Sequence, residues 1–288
     1  MFEQVEVFHR AASVREAVRL LASGKGRARI VAGGTDLVVD ADSTVRALID
    51  ITHSGLTYIR KQRGVCAIGA ATTMAELEES PAIRALGGGI LARAAATCGS
   101  VQIRSVATVG GNLANGSPAA DLVTPLLVLD AAVVVADAKG RRKLPVAEYL
   151  SVRGAKGLRQ SLLVEVTVPR PLGRRCAWSF QKLGRTALDI AVVNVAAGLQ
   201  VDRAGRILWA RIALGAVAPT AIRAGATEAL LLGRTLNAEA VAEAAEAVIR
   251  EVSPITDVRA SAAYRREMCR VLTRRALQEC AAQAGCAI

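Results

Sequence analysis

The sequence predicts an α+β protein built from two parts, and three observations lead to that fold class. In the first part, short strand-like segments run into glycine turns, for example before Gly33 and before Gly110. In the last part, three consecutive strand-like runs are followed by Ala- and Glu-rich helical stretches. The segment Pro169–Arg175 between the two parts combines proline, glycine and charge without periodicity, which is typical of a domain boundary.

The first part begins with a small α/β unit, residues 1–55. A capping-box pattern at Ser13 predicts a helix that ends at about Ala22. The short apolar run Ala28–Val31 predicts a buried strand that leads directly into Gly33-Gly34, and Ala47–Ile51 predicts the next strand. Because α/β folds bind ligands at the carboxyl ends of their strands, this glycine loop is a candidate binding site.

Residues 56–172 complete the first part as a second subdomain. Thr57–Ala70 has the pattern of a hairpin with its turn at Lys61–Gly64. Pro81–Thr97 predicts a helix that three glycines split into two pieces, and strands are predicted at Ala132–Ala136 and Leu162–Val168. The first domain is therefore predicted to cover residues 1–172.

Residues 173–288 form the predicted C-terminal α+β domain, a three-stranded antiparallel sheet covered by helices. On the last predicted helix, Arg266, Arg270 and Arg274 share one face, which we expect to be solvated or to dock onto an acidic partner. The predicted strands are Ala177–Leu183, Ile190–Val201 and Ile207–Val217, and the predicted helices are Ala221–Leu232, Ala238–Val252 and Ser261–Ala284.

The motif TVGGNLANGSPAADL combines the main features of a phosphate site. It predicts a strand end before Gly110-Gly111, a small-residue loop at Asn112–Gly116, and a helix that starts at Ser117 with Asp121 in its first turn. Glycines followed by a helix N-terminus present backbone N–H donors that suit a phosphate. Together with the similar loop Ala32–Asp36, the motif predicts two amide nests that hold one large phosphate-bearing cofactor.

Composition excludes several other classes of protein. The chain is 52% hydrophobic, but no apolar run reaches the roughly 18 residues of a membrane span, and no export signal is recognisable, so a cytoplasmic protein without an integral membrane segment is expected. The net charge of +12 is scattered and aromatic residues make up only 3%, which argues against nucleic-acid binding. Six cysteines without a C-x-x-C pattern and two histidines predict no protein-bound metal.

Three segments carry a resemblance to a known family: VAGGTDL (Val31–Leu37), TVGGNLANGSPAADL (Thr108–Leu122) and DVRASAAYRREMCRVLTRRAL (Asp257–Leu277). They resemble the FAD-binding medium subunit of molybdenum hydroxylases, the family of bacterial xanthine dehydrogenase and aerobic carbon monoxide dehydrogenase. The resemblance implies a two-part FAD-binding domain of the vanillyl-alcohol oxidase type, followed by a C-terminal α+β domain.

The resemblance also implies which residues contact FAD. In the two glycine motifs the glycines would admit the phosphates, Thr35 and Thr108 would offer hydroxyl donors, and Asp121 would accept a hydrogen bond from a cofactor hydroxyl. Leu163 would touch the ring system or the adenine, and Lys182 would place a cation near the isoalloxazine, where it stabilises anionic reduced flavin. The implied contact residues are Ala32, Gly33, Gly34, Thr35, Asp36, Leu37, Thr108, Gly110, Gly111, Asn112, Ser117, Asp121, Leu163 and Lys182.

The function implied by the resemblance is that of a flavoprotein subunit that does not oxidise an organic substrate by itself. A large partner with molybdopterin would hydroxylate the substrate, and a small partner with [2Fe-2S] clusters would deliver electrons. The FAD of this chain would pass them to NAD, a quinone or O₂. A dimer of heterotrimers is the implied assembly.

Two alternatives stay open from the residues alone. A stand-alone nicotinamide-dependent dehydrogenase is one, because Asp50 follows the second strand where a ribose-binding acid would lie. The G-x-G-x-x-G spacing is absent after Val31, which argues against it. The other is a non-catalytic assembly subunit with an empty cofactor cleft, which the intact glycines of both loops disfavour.

Overall fold

The computed structural model describes residues 4–40, 42–62, 64–153, 158, 160–170 and 175–286. The strands are β1 (Val7–Arg10), β2 (Ala28–Val31), β3 (Ala47–Asp50), β4 (Ile59–Gln62), β5 (Val65–Gly69), β6 (Ala132–Asp137), β7 (Gly140–Pro145), β8 (Leu162–Pro169), β9 (Cys176–Leu183), β10 (Val193–Val201), β11 (Ile207–Gly215) and β12 (Ile222–Arg223). The α-helices are α1 (Val14–Ser23), α2 (Leu37–Asp40), α3 (Met74–Glu79), α4 (Pro81–Arg84), α5 (Ile90–Ala96), α6 (Val101–Val106), α7 (Val109–Asn115), α8 (Val123–Val128), α9 (Val146–Val152), α10 (Gly225–Leu231), α11 (Ala238–Ala247) and α12 (Ala262–Ala284). Short 3₁₀ turns lie at Gly87–Gly89 and Val248–Arg250.

Two compact units divide the chain, and each is discontinuous in sequence. Unit 1 comprises Met1–Leu77, Ser100–Gly116 and Asp130–Pro169, and unit 2 comprises Glu78–Gly99, Ser117–Leu129 and Arg170–Ile288. The predicted domain boundary after residue 172 falls on residues 171–174, which lie outside the described part of the chain. That boundary therefore stays a prediction.

The N-terminal α/β element of unit 1 forms as its local sequence predicts. Strands β1 and β2 both pair in parallel with β3, and α1 connects β1 to β2. The capping box is present, since the Ser13 hydroxyl accepts a hydrogen bond from the Glu16 amide at 3.2 Å. The Glu16 carboxylate in turn accepts one from the Ala12 amide at 2.9 Å. The buried face of α1, which includes Leu21, shares one apolar core with Ile49.

The second sheet of unit 1 is antiparallel and has the strand order β4-β5-β8-β6-β7. The predicted hairpin is its β4–β5 pair, although Arg63 in the predicted turn lies outside the described residues. The Gly69 backbone at the end of β5 has no space for a side chain, because a Cβ there would lie 2.1 Å from the Leu56 carbonyl oxygen. The chain then turns into α3, which starts with a second capping box formed by Thr73 and Glu76.

The region before and inside the second glycine motif differs from the prediction. A strand was expected to end at Gly110-Gly111, but the chain forms α6 and then α7, so the glycines and the residues up to Asn115 are helical. The expected loop at Asn112–Gly116 is therefore wrong, and Gly116 (φ +67°) ends α7 in the left-handed conformation. Thr108 is the helix N-cap in place of Ser117, because its hydroxyl accepts the Gly111 amide at 3.1 Å.

Ser117 does not begin a helix. Its hydroxyl accepts the Ala119 amide at 3.2 Å within a turn, and α8 begins six residues later at Val123 with Leu122 as its N-cap residue. The Ser-Pro-x-x-Asp pattern imitates a helix start, but the backbone of this turn is bonded to other parts of unit 2, for example at Pro118, whose carbonyl oxygen accepts the Ala216 amide at 2.7 Å. Tertiary hydrogen bonds thus decide the local conformation.

The core of unit 2 is an antiparallel sheet in the order β12-β11-β10-β9. Alternate residues of β10 point to opposite faces. Val193, Val195 and Ala197 belong to one apolar core with α12, whose contributions include Leu277 and Cys280. Helix α8 packs against β10 and β11, and α5 packs against β9. The predicted α+β class, with a C-terminal antiparallel sheet and helices, is confirmed.

One predicted helix of unit 2 starts later than expected. Residues Ile222–Arg223 form a fourth strand on the edge of β11, and α10 begins only at Gly225. The Arg223 guanidinium donates to the Glu228 carboxylate at 2.7 Å and to the Leu127 carbonyl oxygen at 3.2 Å. These bonds hold Arg223 in the strand, so its tertiary contacts override the helix propensity of the surrounding alanines.

Candidate cofactor-binding site

The first glycine loop presents backbone donors that the protein itself does not use. Within the described residues, the amides of Gly33, Gly34, Thr35 and Asp36 donate no hydrogen bond to another group of the chain. Gly34 has φ +70°, a left-handed conformation that favours glycine. Consecutive amides with a left-handed residue among them form a concave donor set that binds anions. This loop retains the chemistry that the sequence predicts for it.

The first loop is fixed by close packing inside unit 1. A Cβ on Gly33 would lie 1.9 Å from the Val106 carbonyl oxygen at the end of α6, so only glycine fits there. The loop therefore lies directly against the segment that leads into the second motif. Asp36 is exposed in this loop, and its pKa is raised by partial burial and by the nearby Asp40 carboxylate.

The second glycine motif is not an amide nest. The Val109 and Gly110 amides donate to the carbonyl oxygens of Thr72 and Ala70, at 2.9 and 2.8 Å. The Gly111 amide donates to the Thr108 hydroxyl at 3.1 Å, and the next amide donates to the Thr108 carbonyl oxygen at 2.9 Å. The expectation that two amide nests hold one diphosphate is therefore wrong for the second motif.

The two glycines of the second motif have different roles. A Cβ on Gly110 would lie 2.7 Å from both the Cβ and the carbonyl oxygen of Ala70, so this glycine allows α7 to pack on the end of β5. A Cβ on Gly111 would meet only the Thr108 hydroxyl, at 3.0 Å. Gly111 is exposed, so its Cα is the place where a ligand could approach the motif closely.

The remaining predicted contacts in unit 1 are partly or fully buried. Thr108 is 5% exposed, and Asn112 is half-buried on α7. Leu163 is buried near the start of β8, where it pairs with Val135 of β6. Ala32 and Thr35 are half-buried in the first loop. Leu37 is half-buried and is the first residue of α2.

In unit 2, the predicted residues Asp121 and Lys182 form a buried ion pair. Lys182 Nζ lies 3.0 Å from Asp121 Oδ1 and 3.1 Å from Oδ2, and the two side chains are 8% and 9% exposed. The ammonium group also donates to the Thr97 carbonyl oxygen at 2.8 Å. Burial raises the pKa of Asp121 to about 6, and Lys182 counteracts that effect in part. Ser117 stays a prediction as a cofactor contact.

Asp121 keeps an acceptor site open. Lys182 donates its hydrogen bond to Oδ2, and no group in the described part of the chain donates one to Oδ1, which is fully buried. A carboxylate oxygen can accept more than one hydrogen bond, so the ammonium group 3.0 Å from Oδ1 leaves a lone pair of this atom for another donor. A hydroxyl group of a ligand would satisfy it, so the residue type and geometry at Asp121 fit the predicted contact with FAD.

Two buried polar residues of unit 2 were not among the residues predicted from the sequence. Asn194 is fully buried, and its side chain is bonded to the segment that carries Asp121. Its signal in the sequence is a single amide side chain within the apolar strand VVNVAAGL. Arg265 is also buried, and its guanidinium donates to the carbonyl oxygens of Val192 and Ala216 and to the Asp257 carboxylate.

The described residues contain neither a candidate metal site nor a helix that could span a membrane. No group of three or more His, Cys, Asp and Glu side chains among them could hold a metal ion. None of the helices they form is both long and apolar enough to cross a membrane.

Two family models cover nearly the whole chain. Residues 2–171 match the FAD binding domain in molybdopterin dehydrogenase, and residues 178–280 match the CO dehydrogenase flavoprotein C-terminal domain. The fold and these matches define the chain as the flavoprotein component of an oxidoreductase.

Individual proteins agree with the family models. The chain is 38% identical to the 6-hydroxypseudooxynicotine dehydrogenase complex subunit alpha of Paenarthrobacter nicotinovorans, over 93% of this chain and 91% of that protein. It is 32% identical to the xanthine dehydrogenase FAD-binding subunit of Escherichia coli O157:H7, over 96% and 97%. It superimposes with a TM-score of 0.92 on a chain of carbon monoxide dehydrogenase from Hydrogenophaga pseudoflava that lacks the Mo-pyranopterin moiety, with 33% identity and full coverage of both chains.

The chain belongs to the family of FAD-binding medium subunits of molybdenum hydroxylases. Its cofactor is FAD, and it is a subunit of a complex of the xanthine and carbon monoxide dehydrogenase type. The family resemblance stated from the two glycine motifs and the segment Asp257–Leu277 is confirmed.

Proposed function

We propose that the amides of Gly33–Asp36 hold the diphosphate of FAD, and that this loop is the main anion-binding element of the chain. The observation that carries the proposal is that these consecutive amides are fixed in place, contain a left-handed glycine and have no acceptor within the described protein. Fixed donors lose little entropy when they bind a phosphate, and charge-assisted hydrogen bonds are the strong ones.

The second motif is proposed to contribute shape rather than amide donors. Gly111 exposes its Cα, so the cofactor can lie against α7 without meeting a side chain. Thr108 can still donate its hydroxyl hydrogen while its oxygen accepts from the Gly111 amide. The proposed roles of Asn112 and Leu163 rest on the resemblance.

Asp121 and Lys182 are proposed as the polar cofactor contacts of unit 2. The free lone pairs of Asp121 Oδ1 would accept a ribityl or adenosine hydroxyl hydrogen. Lys182 keeps its ammonium group in a buried position, where a positive charge acts strongly because little water screens it. Ser117 is proposed to contact the cofactor from the turn that precedes Asp121.

When bound, FAD would collect electrons from [2Fe-2S] clusters of a small partner and pass them to NAD, a quinone or O₂. A large partner subunit would carry molybdopterin and the organic substrate, in a dimer of heterotrimers in the cytoplasm. The support for partners is that relatives of this chain are named as subunits of dehydrogenase complexes. Purification of the tagged complex from its source, with iron and molybdenum analysis and assays with each acceptor, tests these assignments.

The binding proposal is tested with a pair of matched variants. The purified chain should bind FAD and show a flavin absorption band near about 450 nm. Gly111→Asp places a carboxylate at the third position of α7, where it suits the helix but would repel the phosphates. Gly225→Asp adds the same charge in the first turn of α10, where a side chain has open space.

We expect Gly111→Asp to lose the flavin and Gly225→Asp to retain it, with both variants folded by circular dichroism. Full FAD occupancy in Gly111→Asp would show that the cofactor does not lie against α7.

A further inference from the structure

The ion pair between Asp121 and Lys182 needs structural support, because its partners come from different parts of unit 2. Lys182 lies on β9, whereas Asp121 lies in the turn before α8. Removing two charges from water is costly, and the attraction between them compensates only when their geometry is well fixed. Other residues must therefore fix the position of the turn relative to β9.

Asn194 lies beside Lys182 in the sheet and is hydrogen-bonded to the segment that carries Asp121. It is directly opposite Lys182 in the antiparallel pair of β10 and β9, so the two side chains lie on the same face of the sheet. It is 0% exposed. Its Nδ2 donates to the Ala119 carbonyl oxygen at 3.4 Å, and its Oδ1 accepts from the Thr124 hydroxyl at 2.8 Å. These two bonds bracket Asp121 on both sides along the chain.

The neighbouring strand leaves space for this side chain. Gly215 of β11 is opposite Asn194, and a Cβ on Gly215 would lie 2.4 Å from Asn194 Oδ1. The next residue, Ala216, has φ +64° and donates its amide to the Pro118 carbonyl oxygen at 2.7 Å. The sheet thus holds the segment around Asp121 at Pro118 through Ala216, and at Ala119 and Thr124 through Asn194.

We infer that Asn194 is a positioning residue that sets the geometry of the Asp121–Lys182 ion pair and, through it, the reduction potential of the flavin. This inference rests on the proposed function, in which the pair contacts FAD. Asn194 acts from the sheet and needs no contact with the cofactor itself. Its amide is suited to the task because it carries both donor and acceptor atoms, and the segment Ala119–Thr124 uses one of each.

The test is a double-mutant cycle on the full chain, with FAD affinity and the flavin midpoint potential as readouts. Asn194→Leu keeps the approximate volume of the side chain and removes both hydrogen bonds. We expect it to weaken FAD binding by about tenfold, the effect of losing roughly one to two net hydrogen bonds, and to shift the midpoint potential. In the Lys182→Met background the same substitution should produce no further shift in potential, because the pair through which Asn194 acts is gone.

Controls separate this role from general stability. Thr273→Val changes a buried hydroxyl of α12 that has no hydrogen-bond partner within the described structure, and it should leave the potential unchanged. Thr124→Val removes only the bond to Asn194 Oδ1 and should shift the potential in the same direction as Asn194→Leu. It also replaces Asn194→Leu in the cycle if that variant does not fold.

The possible results separate the inference about Asn194 from the proposal that the Asp121–Lys182 ion pair contacts FAD. If Lys182→Met leaves both FAD affinity and potential unchanged, the proposed role of the ion pair is wrong. If Lys182→Met changes them and Asn194→Leu does not, only the inference about Asn194 is overturned. An equal shift from Asn194→Leu in both backgrounds also overturns it, because Asn194 would then act independently of the pair.

Discussion

Alanine substitutions at Gly33 and Gly111 should separate a glycine that the fold requires from a glycine that the cofactor requires. At Gly33 the added Cβ would lie 1.9 Å from the Val106 carbonyl oxygen and 2.4 Å from its carbonyl carbon. Nonbonded carbon and oxygen atoms rarely approach closer than about 3.3 Å, so the backbone must move by more than about 1 Å. Overpacking of this kind costs about 1–3 kcal/mol, and a clash between two backbone segments lies at the upper end.

For domains of this size, a loss of about 3 kcal/mol lowers the Tm by roughly 6–12 °C. At Gly111 the new methyl group would touch only the Thr108 hydroxyl, at 3.0 Å. The better helix propensity of alanine, worth about 1 kcal/mol, offsets that contact. We therefore expect the Tm of Gly111→Ala without FAD to stay within about 3 °C of the parent. Its FAD affinity should fall by about tenfold or more, since the methyl group occupies the proposed cofactor surface.

Differential scanning fluorimetry without FAD and fluorescence titration with FAD measure the two effects. Gly225→Ala is the matched control, because this exposed glycine of α10 has no atom near its missing Cβ. An unchanged Tm for Gly33→Ala would refute the packing of the first loop against α6. Unchanged FAD affinity for Gly111→Ala would refute the proposed cofactor surface on α7.

Two further predictions concern unit 2. The pKa of Asp121 is raised by burial from 3.8 to about 6, so the folded chain without FAD retains this proton over a range in which the unfolded chain has lost it. The free energy of unfolding should therefore decrease as pH rises from about 4 to 6, and Asp121→Asn should remove this contribution. Urea unfolding of the parent and the variant measures it. A difference in unfolding free energy between the two that stays constant across that pH range would contradict the prediction. Arg265→Met should lower stability by about 2–6 kcal/mol, because it leaves the two carbonyl oxygens of Val192 and Ala216 without their buried donor, at about 1–3 kcal/mol each, and a loss below about 1 kcal/mol in the same assay would contradict this role.

Much of the fold could be predicted from local patterns, because many elements of this chain agree with their own propensities. The capping box at Ser13 begins a helix as expected, and a second capping box at Thr73 begins α3. The strand-like runs that form β9, β10 and β11 pair antiparallel in sequence order, as predicted. In these elements, local preference and tertiary packing favour the same structure, so the elements can be predicted from their sequence.

The second motif could not be predicted, because its local signals contradict its environment. Val106 and Val109 are β-branched and suggested a strand end, yet Val106 lies on α6, where it is 46% exposed, and Val109 is the first residue of α7. Exposed β-branched residues lower helix propensity only slightly, so the Ser100 cap and the following packing decide the outcome. The helix predicted at Ser117 does not form, for the converse reason. Its sequence pattern favours a helix start, but the hydrogen bond from the Ala216 amide to the Pro118 carbonyl oxygen holds the segment in a turn.

The location of the candidate site stays a prediction, and its chemistry could be predicted only in part. The Gly-Gly pairs marked the first loop and the start of α7, but which glycine serves packing depends on neighbours such as Val106 and Ala70, which are distant in sequence. The arginine pattern on α12 shows the same limit. The stripe that begins at Arg266 suggested a solvated face, whereas Arg270 is bonded to Glu246 and Glu267.

The position of the FAD diphosphate in a crystal structure of the chain with its cofactor tests the central claim most directly. We expect phosphate oxygens within about 3 Å of the backbone nitrogens of Gly33–Asp36, with no phosphate oxygen bonded to the amides of Val109–Gly111. A diphosphate held by the amides of α7, with the Gly33–Asp36 amides turned toward solvent, would contradict it.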